Sequence, residues 1–224
     1  MLEGNRVGLY STSGFMTEES APVITVRPLL TALLLAALGA TVSGCAGTII
    51  GAGATAGVAA AEERGIGGAI DDVKIRTEIN HLWFDRDIEM YRQVTLNISE
   101  GRVMLTGVVT AEQARADAVR LSWQAAGVKE VLNEIQVRGS GEPGLDQAHD
   151  LWLQQKLKAR LLTDSEVRNI NYIIDVTDSV VYLLGIAQSQ TELDRVIAHA
   201  RDLGGIKRVI SHVVLKTDPK RNGG

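Results

Sequence analysis

Cysteine is all but missing from this chain: 224 residues hold one, Cys45. A single cysteine cannot close an internal disulfide. The leucine-rich apolar run near the start is short as well. The uncharged apolar run from Pro28 to Ala40 has 13 residues, short of the roughly 20 that a helix needs to cross ~30 Å of hydrocarbon. Neither sign of charge dominates, with 23 basic and 27 acidic side chains. The formal net charge is -4, so bulk charge points to no nucleic-acid partner. Metal-ligand spacing is absent: His81, His149, His199 and His212 stand apart and there is no Cys-x-x-Cys, so no zinc site is expected. Gly-x-Ser-x-Gly, P-loop and dinucleotide fingerprints are lacking. The pairs Glu62-Glu63 and Asp71-Asp72 read as solvated or capping carboxylates. No catalytic residue, cofactor or enzymatic activity is expected. What remains is 45% apolar and 22% charged, an ordinary globular balance with length for one or two domains.

The one cysteine sits in a pattern. Arg27 precedes the apolar run, and small residues follow it, which is the order of a secretory signal peptide. Val42-Ser43-Gly44-Cys45 then resembles the bacterial lipobox. That resemblance implies that the Cys45 thiol takes a diacylglycerol, that the chain is cut before it, and that the new amine is acylated. Two or three chains hold a membrane firmly where one holds marginally. Ala46 follows, and the lack of aspartate there favours the outer membrane. Met1 and Met16 both remain candidate starts. Ala46 to Ala61 is small, apolar and uncharged. It reads as a flexible tether. Its Gly47/Gly51 spacing also allows an uncleaved membrane segment continuing past Cys45.

The rest of the chain repeats. Residues 71–137 align with 149–215 at a constant offset of 78, and MLTGVV falls on YLLGIA, GVKEVLNEIQV on GIKRVISHVVL. Each copy opens with a helix (Asp72–Phe84, Asp150–Leu162). An alternating strand follows (Val94–Ser99, Ile173–Thr177), then a turn at Glu100-Gly101 or Asp178-Ser179. The second strand is RVMLTGVV or VVYLLGIA. A second helix (Ala111–Ala126, Gln190–Leu203) ends on Gly127 or Gly205 as a C-cap. A last strand (Val131–Val137, Val209–Leu215) closes the order α-β-β-α-β. A three-stranded sheet with both helices on one face makes one two-layer α/β (α+β) core per copy. Gly107 and Gly185 interrupt apolar strands, which marks a close approach, here read as that of the covering helix. The resulting plan is a signal segment 1–44, a tether 45–70, domains 71–137 and 149–215, a linker 138–148 and a disordered tail 216–224.

This order, with xLxGxV on the second strand and GVKxVxNxIxV on the third, resembles the BON domain. Two copies behind a lipobox resemble the dual BON-domain outer-membrane lipoproteins of proteobacteria. The resemblance implies a non-enzymatic protein on the periplasmic face of the outer membrane that binds anionic phospholipid and supports membrane integrity.

Charge divides unevenly: 71–137 carries 8 basic and 11 acidic side chains, 149–224 carries 11 and 9. An anionic bilayer favours the second copy. In its first helix, Leu153, Leu157 and Leu161 form the stripe for the sheet. Trp152 falls outward with Leu151, Gln155 and Lys158, flanked by Lys156. An outward indole beside lysines suits the headgroup boundary, and the family resemblance implies lipid contact on the same helix. The alternative is that Trp152 packs on the first domain or on an envelope protein partner. Trp83 aligns with Leu161 and is expected in the core. Trp123 lies outside its helix stripe, as a domain–domain contact or a protein anchor.

Overall fold

A computed structural model describes residues 58–139 and 146–221. Cys45, its lipobox and residues 140–145 of the linker lie outside the described residues. In the first copy, helix α1 spans Gly65–Arg86 and buries Ile75, Ile79 and Trp83 at helical spacing. It starts ahead of the expected Asp72, so the last part of the stretch read as a tether is helical. A short helix α2, Ile88–Gln93, was not anticipated. Asp87 nucleates it, its side chain accepting from the backbone N–H groups of Glu89 and Met90, as an N-cap does. Strands β1 (Val94–Ser99) and β2 (Arg102–Val109) follow with the expected bounds. Helix α3 (Glu112–Ser122) leads to β3 (Glu130–Asn133) and β4 (Gln136–Val137). The second copy comprises α4 (Gln147–Thr163), a 3-10 turn (Asn169–Asn171), β5 (Tyr172–Thr177), β6 (Val180–Ala187), α5 (Gln190–Arg201) and β7 (Arg208–Leu215).

The two sheets share one plan. The first two strands pair antiparallel, and the third joins the second in parallel after the helical crossover. The third strand of the first copy is interrupted between Asn133 and Gln136. Its register is unbroken, since Leu105 pairs with Asn133 and Val108 with Gln136. Each hairpin turns on two residues with positive φ, Glu100 (56°) and Gly101 (77°), Asp178 (52°) and Ser179 (60°). Turns of that hand match the twist of the strands.

A buried aspartate holds each turn. Asp72 accepts from the N–H groups of Glu100 (3.0 Å) and Gly101 (2.9 Å). Asp150, at the equivalent position, accepts from Asp178 (2.7 Å) and Ser179 (2.8 Å). These charge-assisted bonds tie the opening helix of each copy to its hairpin. Asp72, read from the sequence as a solvated or capping carboxylate, is instead a buried clamp inside α1, which has no acidic residue in its first turn.

The close approach at the two strand glycines is not made by the covering helix. A Cβ on Gly107 (φ +114°) would lie 2.2 Å from the carbonyl oxygen of Gln93, the last residue of α2. One on Gly185 (φ +143°) would lie 2.0 Å from that of Asn171. In both copies the backbone entering the edge strand crosses the glycine. Gly127 and Gly205 have φ of +92° and +97°.

Each sheet carries its helices on one face, three in the first copy and two in the second, with a separate core beneath them. The other faces meet. Met104, Val180, Tyr182 and Leu184 are buried between the sheets, with Leu132, Ile173 and Ile210 packed around them. Met104 and Tyr182, and Leu132 and Ile210, are repeat-equivalent pairs, and so are Glu134 and His212. The latter two bond each other across the junction at 2.8 Å. Thr106 donates to Asp175 at 2.5 Å and Gln136 to the Tyr182 hydroxyl at 3.2 Å. The layers run helix, sheet, sheet, helix. The tail differs from expectation. A 3-10 turn, Pro219–Arg221, brings the Arg221 guanidinium 2.7 Å from Glu100, so opposite charge holds the residues up to Arg221 against the first copy.

Candidate functional site: the outer face of α4

Helix α4 is capped by Asp146, whose side chain accepts from the His149 N–H. One face is wholly buried: Leu153, Leu157 and Leu161 are each at most 1% exposed. Burying three leucines this way contributes several kcal/mol, at about 1.5–3 kcal/mol per side chain, and fixes how the helix rolls. The roll decides what faces water. Leu151 is 55% exposed, Trp152 51% and Leu162 71%. Gln155 and Lys158 are exposed and Lys156 half-buried.

Trp152 is braced on two sides. The Lys156 ammonium lies 4.4 Å from the ring centroid, a cation–π distance. The His149 ring stacks on the indole with centroids 5.8 Å apart and 23° between planes. The positions are i−3, i and i+4, which share a helix face. An indole so held loses less conformational entropy when it enters a second surface. Beside it runs an open groove of about 360 Å³, lined by Gln155, Lys158, Leu162, Asn169, Tyr172 and Ile174 among others. Burial, and then the negative charge of Glu192, pushes the Tyr172 phenol pKa up, so it stays neutral.

The structure thus gathers Leu151, Trp152, Gln155, Lys156 and Lys158 on one outward face, with Leu162. Trp152 is half exposed, with His149 and Lys156 against its ring. Trp123, 51% exposed at the end of α3, is not buried in the junction between copies. Trp83 is in the core at 1% exposure, its indole N–H donating to the Ala118 carbonyl at 3.1 Å. Three histidines pair with carboxylates, His81 with Asp85 along its helix, His199 with Asp164 within the second copy and His212 with Glu134 across the junction. Among the described residues no group of His, Cys, Asp or Glu could hold a metal ion, and no helix is long and apolar enough to cross a membrane. Sequence reasoning missed His149 as part of this face, although its i−3 spacing from Trp152 was a usable signal. It also missed the turn-clamping role of Asp72 and Asp150, visible only as an identical pair at the repeat offset.

Fold and face define the class first: a tandem of small α/β domains joined sheet to sheet, with an indole and cations presented on an outer helix. The chain belongs to the BON-domain family, the BON domain matching residues 71–139 and again 149–217. It is 42% identical over 147 residues to an uncharacterized protein in the gshII 5' region of Anaplasma centrale, covering 66% of this chain and 96% of that one. It is 31% identical over 194 residues to the outer membrane lipoprotein DolP of Haemophilus influenzae, covering 84% of this chain and 96% of that one. The osmotically-inducible protein Y of Escherichia coli is 28% identical over 145 residues, 64% of this chain and 72% of its own length.

Proposed function

We propose that this chain is a non-enzymatic, lipid-anchored envelope protein of the outer membrane. In this reading Cys45 carries the anchor at the periplasmic face. The outer face of α4 docks on anionic phospholipid, and the docked protein supports membrane integrity. The observation that carries the reading is the half-exposed Trp152 braced by Lys156 and His149, on a helix whose opposite face is fully buried. The indole suits the headgroup boundary, and lysines near an anionic surface each contribute about 1 kcal/mol. Likeness to a DolP named as an outer membrane lipoprotein supports the compartment. Anchor and face act on one bilayer, so effective concentration makes a weak headgroup contact count.

Sedimentation of residues 58–224 with phosphatidylglycerol and with phosphatidylcholine vesicles tests docking. Selective binding to the anionic vesicles is expected, with Trp152→Ala reducing it about tenfold or more, as loss of a central aromatic anchor does. Equal recovery with both lipids, or an unaffected Trp152→Ala, rejects it. Exposed Trp123, on a different helix layer from Trp152, favours a second reading as an envelope protein adaptor. That protein would ignore lipid charge in the same assay.

A further inference from the structure

The segment entering the first copy is fastened to the second. The Glu63 N–H donates to Asn171 Oδ1 at 3.0 Å. Its carboxylate meets Arg168 at 3.3 Å and Lys216 at 3.2 Å. Its carbonyl accepts from Arg221 at 3.3 Å. The Glu63 side chain is only 13% exposed. Burial pushes its carboxyl up, but bonds from Lys216 and Gln188 and the charges of Lys216 and Arg168 outweigh this and hold it below its ordinary range. Every one of these partners belongs to the second copy or to the tail that follows it, although Glu63 precedes the first.

The place matters. Arg168 and Asn171 flank Asn169, which lines the groove beside Lys158 and Leu162 of α4. The chain that leads back to Cys45 is therefore held at the 3-10 turn that connects α4 to β5. From Cys45 to Val58 the chain spans at most about 45 Å at full extension, using about 3.5 Å per residue. Helix α4 is only about 25 Å long. With the exit held at the turn that follows α4, an anchor and the Trp152 face reach one bilayer together. With the exit released, the segment could leave from the first copy's side, and the local concentration of the docking face would fall.

We infer that Glu63 is a positioning residue, a latch that fixes the anchor chain's exit on the second copy and so aims the α4 face at the anchored bilayer. This rests on the docking reading above. The test uses the full chain lipidated at Cys45, reconstituted in phosphatidylglycerol-containing vesicles with brominated acyl chains. A Trp123→Phe background leaves Trp152 and the core Trp83 as emitters. Wild type and Glu63→Asp should show quenched Trp152 emission. Glu63→Gln should lose at least about half of that quenching, as expected when effective concentration falls. The unanchored residues 58–224 should bind anionic vesicles equally with and without the change. Amide exchange over 58–66 reads the latch itself, and should quicken about tenfold or more in Glu63→Gln as local opening becomes easier. Quenching unchanged in the anchored Glu63→Gln protein overturns the latch while leaving docking intact. So does fast exchange over 58–66 in wild type. Absent quenching in the anchored wild type, with 58–66 protected, means instead that the docking reading has failed and the latch's role with it.

Discussion

Asp72 and Asp150 show how much one side chain can fix. Each lies in the opening helix of its copy, is almost fully buried, and spends both carboxylate oxygens on the two N–H groups of a hairpin turn. The turn residues have positive φ, so their N–H groups point together and need one shared acceptor. Replacing Asp150 by alanine strands two part-buried donors. We expect a loss of about 2–4 kcal/mol, from about 1–3 kcal/mol per unsatisfied group, measured as a lowered urea midpoint with unchanged slope. In the sequence these aspartates were indistinguishable from solvated carboxylates, because burial of a polar group depends on what folds over it.

At the scale of elements, period and propensity located the strands well. β1, β2 and β6 run where alternation and turn residues place them, while the third strand of the first copy is split. Helix α2 escaped because six residues give too short a periodic signal. The strand glycines were legible as close approaches, but the approaching group was misassigned. A sequence does not say which backbone crosses a gap. Gly185→Ala should cost well over ~1 kcal/mol, since positive φ and a blocked Cβ both oppose it. Gly204→Ala is the control, with open space at its Cβ and no positive φ. Thermal melting of the two variants should separate them clearly. The outward face of α4 was readable from the leucine stripe alone, because burying one face of a helix sets the direction of the other.

At the scale of the molecule, the back-to-back sheets were not foreseen. The clue was present. β6, VVYLLGIA, is apolar along its whole length and buried at every position, as a strand covered on both faces must be. The alternating β1 and β5 drew attention to one buried face instead. Met104, with no exposed surface in the junction, is the place to test it. Met104→Lys puts an unpaired charge between the sheets. By differential scanning calorimetry we expect wild type to unfold in one transition and Met104→Lys in two, each copy melting on its own core. A retained single transition would mean that the junction does not couple the copies.

The sequence by itself determined the repeat, the order of elements within each copy, the two helix-covered cores and the outward set Leu151, Trp152, Gln155, Lys156 and Lys158. All of these follow from local periodicity, which chain order carries directly. Only the tertiary structure decided which residues meet across long separations. Glu134 found His212, Asp72 found the Glu100–Gly101 turn, and Glu63 found Arg168 and Lys216 more than a hundred residues away. Such pairs depend on how two finished cores settle against each other, and no local pattern in a single chain encodes that.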